Sequence, residues 1–314
     1  MHIELFLQFR FAPSKLAPSK LAPSKLAPSK LAFVKFALTK KTPISFASWK
    51  LELVKSVKLK SAPLNSEFLK YGVANLDGIS AIHLDGDFDS VVKLLQGQVT
   101  SDCLLVSNTL GQPSSLCDEK GFILCNFDII FSLDKWLIII NESSKDIFLN
   151  EIAKFLPFYK VACVVLDAEI FGISRKKDGH TMPGECVILE NDQLLLSIII
   201  NLRPKRDLDT INLVNWNINR KIMGDHLINI ENQGQFRPHE LGQDKNRVSF
   251  SKGCFKGQEI IARMEYLGKA KKETRLIIHA GEKEISKFTV IGETHEYQGR
   301  YFSSCLGKKE LFFD

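Results

Sequence analysis

In "GISAIHLDG" (78–86) apolar and polar positions alternate roughly one for one, and the segment closes on an Asp85-Gly86 turn. Alternation at period two marks a strand with one buried face. The rhythm then changes. In "DFDSVVKLLQGQ" (87–98) Phe88, Val91, Val92, Leu94 and Leu95 fall at helical spacing, and Gly97 is expected to stop the helix. "SSLCDEKGFILCNFDIIFS" (114–132) predicts a hairpin turning at Asp118–Gly121, and "KWLIIIN" (135–141) a further strand. Helical spacing returns in "SSKDIFLNEIAKFLPFY" (143–159), with Ser143 or Ser144 as cap and Pro157 near the end. "VACVVLDAEIFGIS" (161–174) and "DQLLLSIIINLRP" (192–204) are strand-like. Strand, helix, strand, strand, helix, strand, with hairpins mixed in, predicts an α+β fold. A break falls near 201–210, and a final β-rich piece starts at Thr274.

Residues 11–40 follow neither period. They are six five-residue units, four almost identical and two decayed, with lysine at 15, 20, 25, 30, 35 and 40. Each of the first four units carries a proline, which removes a donor and clashes with the preceding turn, so no continuous helix forms. A period of five gives no single apolar face, and an extended, disordered leader is expected over 1–63. A basic, serine-containing, acid-poor start has the character of an organelle transit peptide or of a surface-binding tail. The favoured reading is plainer: a translated tandem repeat ahead of the real domain, an artefact of recent duplication. Compact structure is expected from Leu64, as 64–205 (α+β), 206–273 (a second α+β segment) and 274–314 (β-barrel-like).

Charge confirms that division. The net charge is +6, but residues 1–60 hold 12 lysines and arginines against Glu4 and Glu52. The remainder carries 30 basic and 34 acidic residues and is mildly acidic. Its overall charge therefore predicts no strong phosphate-backbone binding. The seven cysteines include no C-x-x-C pair and the seven histidines no clustered spacing, so no metal is expected. "LLLSIII" (194–200) is far too short to span a bilayer. A cytoplasmic monomer without membrane contact is expected, or a mitochondrial-matrix one if the leader is a transit peptide.

The candidate chemistry lies in "SKGCFKGQEIIARMEYLGK" (251–269). Gly253 and Gly257 permit unusual backbone and close approach of a ligand. Ile260, Ile261 and Met264 share one face of a short helix ending at Gly268, which puts Cys254 just ahead of a helix N-terminus. The positive end of the dipole, with Lys252 and Lys256 nearby, favours a thiolate. The plainer reading of a single cysteine is a small buried hydrophobe.

"KGCFKGQEIIAR" resembles the K-G-C-[YF]-x-G-Q-E-x-x-x-R signature of the YgfZ family, folate-binding proteins related to the glycine-cleavage T-protein. Lys252, Gly253, Cys254, Phe255, Gly257, Gln258, Glu259 and Arg263 are in register. "LLQGQVTSD" (94–102) and "NQGQFRPHEL" (232–241) resemble two further family segments, and the resemblance covers roughly residues 66–314. It implies a T-protein-like fold, with a ferredoxin-like α+β core around a central channel and a small C-terminal β-barrel. The early end at "GKKELFFD" suggests that the barrel is short of strands.

The resemblance also implies tetrahydrofolate or a derivative as cofactor and a role in iron–sulfur cluster assembly or repair. The partners would be iron–sulfur proteins such as a radical tRNA methylthiotransferase. Cys254 would be the reactive thiol at the mouth of a folate-sized channel, its loop shaped by Lys252, Gln258, Glu259 and Arg263, with Gly253, Phe255 and Gly257 on the folate side. Trp216 corresponds to a tryptophan used against folate; equally, it is a core anchor of "LVNWNI". A second family tryptophan is replaced by Ile79. Asp102 is a further ligand candidate or a turn cap. Arg263, Lys269, Lys271, Lys272 and Arg275 could meet tRNA or a glutamate tail, or form a solvated face. The competing functions are a folate-dependent aminomethyltransferase of the T-protein type and a direct tRNA binder. A classical enzyme is not the favoured reading.

Overall fold

The computed structural model describes residues 67–202, 208–268 and 271–312; the 1–63 leader and Leu64 lie outside them. Alternation along β4 (Ile123–Ser132) organises the centre of the molecule. Cys125, Phe127 and Ile129 point to a layer of helices, while Asn126, Asp128 and Ile130 point the other way. β5 (Lys135–Asn141) repeats the pattern, with Trp136, Ile138 and Ile140 towards the helices. These strands belong to a five-stranded antiparallel sheet ordered β3-β4-β5-β2-β6, with β2 Ile79–Asp85, β3 Gln112–Cys117 and β6 Ala162–Leu166. Omitting the edge strand β3, the order β6-β2-β5-β4 is that of a ferredoxin-like βαββαβ unit.

Its two helices are α1 (Phe88–Gln98) and α2 (Glu142–Ala153). α1 buries Val91, Leu94 and Leu95, and α2 buries Phe148 and Ile152. Asp87 caps α1 by accepting from the Ser90 N–H at 3.0 Å. The helix runs one residue past Gly97. Asn141 caps α2 by accepting from the Ser143 N–H, in place of the serine expected. The predicted helix over 143–159 is two pieces, because Pro157 cannot continue an established turn; α3 (Leu156–Tyr159) starts anew.

The strand-like stretch 161–174 also divides. β6 stays in the first sheet, whereas β7 (Ile170–Lys176) enters a four-stranded sheet ordered β1-β7-β9-β8. Its other members are β1 (Gly72–Asn75), β8 (Cys186–Glu190) and β9 (Leu194–Ile200). β9 is buried at every position, which explains its unbroken apolar run. α4 (Leu213–Ile222) lies across β7 through Trp216. The chain ends in a three-stranded antiparallel sheet, β10-β12-β11, from β10 (Lys272–His279), β11 (Thr289–Tyr297) and β12 (Arg300–Lys308). No helix among the described residues is long and apolar enough to cross a membrane.

Candidate functional site

The polar face of β4 opens onto a cavity of about 580 Å³. It is enclosed by the β1–β2 turn, β4, the β5–α2 junction, α4 and β11, so all three sheets contribute. That volume is typical of small-molecule sites. Two arginines and two aspartates form its floor. Arg220 on α4 donates to both Asp128 oxygens (2.7 and 3.0 Å) and to Asp225 (2.6 and 2.8 Å). Arg247, fully buried, donates to Asp225 (2.7 and 3.0 Å) and to the carbonyls of Ser114 and Phe127. Burial alone would raise the Asp225 carboxyl, but Arg247 and Arg220 outweigh it and hold the group well below the usual carboxylate range.

The four charges cancel, which leaves Lys221 as the notable cation. Its ammonium donates to Ser304 Oγ at 3.1 Å, and burial lowers its pKa to about 8 against the opposing pull of Cys305, Glu293 and Asp225. His226 shares Ser304 Oγ at 2.8 Å, and burial with help from Lys221 pushes it down to about 3. His295, at the cavity wall, falls to about 4 for the same reasons. Both imidazoles are therefore neutral near pH 7. The cavity offers one ammonium with spare donors, the Glu293 carboxylate, and the side chains of Asn217 and Asn229.

Trp216 borders this cavity while only 2% exposed. Its ring lies against Gly172 of β7, where an added Cβ would come within 2.7 Å of the ring. Core packing and cavity lining are thus combined in one side chain. Ile79, at the place of the missing tryptophan, also lines the cavity. Asp102 does not. It caps the short turn Cys103–Leu105, accepting from the Leu104 N–H at 3.0 Å and the Gln96 amide at 2.5 Å.

The cysteine loop is a separate element: no residue from Lys252 to Arg263 lines the cavity. The loop is packed on the β3–β4 hairpin and the C-terminal end of α1. Gly257, at φ +83°, is the N-terminal cap of α5 (Gln258–Leu267), and a Cβ added there would lie 2.5 Å from the Asp118 carbonyl oxygen. Its freedom serves this close backbone approach to the hairpin turn. Phe255 is buried in the small core beneath, with Ile261 and Leu241. Lys252 donates to the carbonyls of Val99 and Ser101, both at 2.8 Å, and burial lowers its pKa to about 8. Lys256 reaches Glu151 at 2.9 Å and Glu119 at 3.4 Å. Both lysines fasten the loop to α1, α2 and the hairpin. Cys254 and Gly253 are exposed, as are Glu259 and Arg263 on α5; Gln258 is half-buried. Of the basic run, Arg275 pairs with Glu273 and Lys269 is not among the described residues.

The buried quartet escaped sequence reading. Asp128 alone left a signal, a charged residue inside the apolar strand "NFDIIF"; Arg220, Asp225 and Arg247 left none.

No family model matches the chain. The tRNA-modifying protein YgfZ of Colwellia psychrerythraea is 29% identical over 241 residues, covering 68% of this chain and 73% of the relative. That of Pectobacterium carotovorum is 27% identical over 246 residues, 67% and 71% of the two chains. The chain is similar to YgfZ proteins. An uncharacterized protein of Haemophilus influenzae is 27% identical over 190 residues, or 57% of this chain and 64% of that one. Among solved structures, the glycine cleavage system aminomethyltransferase T of Bartonella henselae superposes with a TM-score of 0.50 at 10% identity, over 79% of this chain and 89% of that one. This shared architecture shows a T-protein-like α+β fold.

Proposed function

We propose that this YgfZ-like chain is a folate-binding accessory protein that supports iron–sulfur cluster assembly or repair, and thereby tRNA methylthiolation, through Cys254. The observation that carries the reading is the central cavity edged by Trp216, Arg220 and Lys221 in an aminomethyltransferase-type fold. The residues suit a tetrahydrofolate or a derivative. The part of Trp216 that borders the cavity, with Ile79 and Leu213 beside it, supplies an apolar wall for a flat pterin. Glu293, Asn217 and Asn229 supply acceptors and donors for its polar rim. Lys221 uses one of three N–H donors on Ser304, and the others suit an anionic glutamate tail. When bound, the folate supplies a one-carbon carrier. The chain's part is to orient it, exclude water and hold the histidines neutral.

Cys254 stands apart and exposed, where a client protein can reach it. The clients expected are iron–sulfur proteins such as a radical tRNA methylthiotransferase, in the cytoplasm. Arg263 is exposed on the helix that follows. In a strain lacking the gene, C254A is expected to leave cluster-dependent tRNA methylthiolation impaired, with protein levels unchanged. Full rescue would remove the thiol from the mechanism.

The second reading, a folate-dependent aminomethyltransferase, rests on the fold alone. Robust folate-dependent release of ammonia from an aminomethyl-lipoyl carrier would favour it.

A further inference from the structure

Three ligand-type side chains meet on the side of α5 that faces two short 3-10 turns. His239 comes from the turn Pro238–Leu241, Asp244 from the turn Gln243–Lys245, and Glu265 from the last turns of α5. One nitrogen or oxygen from each lies within 4.8 Å of those of the other two. The His239 side chain is only 8% exposed. Its Nε2 sits 3.1 Å from Glu265 Oε2, while its Nδ1 is buried without a hydrogen-bond partner. A buried imidazole with one nitrogen unsatisfied is costly to the fold. Phe250 lies beside it, with ring centroids 5.9 Å apart. Nothing in local sequence spacing announces the group, since residues 239, 244 and 265 are joined only by the fold.

We propose that His239, Asp244 and Glu265 bind one divalent transition-metal ion of the zinc or manganese type, which pins α5 to the turns beneath it. One imidazole nitrogen and two carboxylate oxygens form a mixed donor set of borderline hardness, suited to such ions and poorly suited to calcium or magnesium. Ligand bonds of about 2.0–2.2 Å place neighbouring donor atoms about 3–3.4 Å apart around a shared ion. The His239–Glu265 separation already falls there, and the 4.8 Å limit leaves a small contraction. Glu265, whose side chain is 39% exposed, has the freedom to make it. Three protein ligands leave positions open to water or a further ligand. The ion would steady the helix that begins directly after the Cys254 loop. This site is separate from the cavity, so its fate does not depend on folate binding.

The test is calorimetric titration of the full chain, freed of metal by a chelator, with Zn²⁺, Mn²⁺ and Mg²⁺ in turn. Visible absorption of added Co²⁺ reports the donor atoms. One equivalent of Zn²⁺ or Mn²⁺ is expected to bind with micromolar or tighter affinity, and Mg²⁺ far more weakly. E265Q, at a partly exposed position where folding is least at risk, and H239A should each weaken binding at least about tenfold. C254A should leave it unchanged, and the Co²⁺ spectrum should lack thiolate bands. Absence of stoichiometric binding overturns the proposal. So does binding that survives E265Q and H239A but is lost in C254A, which would assign the metal to the thiol.

Discussion

A positive φ is tolerable for glycine and strained for any other residue at the start of a helix like α5. At Gly257 two costs coincide: φ is +83°, and an added Cβ would come within 2.5 Å of the Asp118 carbonyl. Backbone atoms cannot swing aside as a side-chain tip can. G257A is expected to lower stability by about 1–3 kcal/mol, read as a lower urea midpoint at unchanged slope. The thiols give a second test at this scale. Burial raises Cys103, Cys125 and Cys305 to about 12 and Cys163 and Cys186 to about 11, while Cys117 is lifted higher still. Cys254 alone among the cysteines is exposed. Iodoacetamide on the native protein at neutral pH should therefore label Cys254 first and the others only on unfolding. Peptide mass spectrometry reads the outcome, and a protected Cys254 would remove the chemical role proposed for it.

Among the elements, α4 carries the most informative conflict. Its Trp216, Ile218 and Ile222 are buried as a helix face should be, yet Arg220 and Lys221 are buried too. Asp128 and Asp225 neutralise Arg220, whereas Lys221 finds a hydroxyl. Its folded-state pKa of about 8 lies below the ordinary 10.5. Between those values the unfolded chain keeps a proton that the folded chain releases, so stability rises with pH across that window. At pH 7 the buried ammonium is a net cost. K221M is expected to raise stability there by about 1–3 kcal/mol, flatten the rise from pH 8 to 10, and weaken binding of a folate carboxylate. Chemical denaturation at pH 7 and pH 10 checks the first two effects. A destabilised K221M would show that the Ser304 bond outweighs desolvation.

Elements of this kind also mark how far the sequence could be read. β2, β4, β5 and α1 were legible because one buried face imposes a period, and the β3–β4 turn because Asp118–Gly121 spells it. The division of 143–159 was hidden in a single proline, and the allotment of 161–174 to two sheets was not local at all. For the candidate site, "KGCFKGQE" was legible as a motif, but the anchoring of its loop was not. Its lysines and Gly257 fasten the loop to the end of α1, to α2 and to the hairpin, through partners distant in sequence. The cavity floor was illegible because Asp128, Arg220, Asp225 and Arg247 are far apart in the chain and meet only through long-range packing.

On the scale of the whole molecule, cavity and thiol use different parts of one hairpin, the cavity the polar face of β4 and the thiol loop the β3–β4 turn. The cavity is closed by all three sheets and α4; the thiol rides on the hairpin and the end of α1. Groups that share no direct partner contribute nearly additively to binding and stability, and no residue from Lys252 to Arg263 lines the cavity. Direct chemistry between a cavity-bound folate and Cys254 would require the loop to move, at the cost of the Lys252 and Lys256 anchors. The two sites are thus expected to behave independently at rest. Titration with 5-formyltetrahydrofolate, followed by the fluorescence lost in W216F, should give the same Kd for wild type and C254A, within about twofold. Conversely, folate at saturation should not protect Cys254 from iodoacetamide. Protection by folate, or a Kd shifted tenfold in C254A (about 1.4 kcal/mol of coupling), would show that the loop closes over the cavity in solution and that thiol and cofactor form one centre.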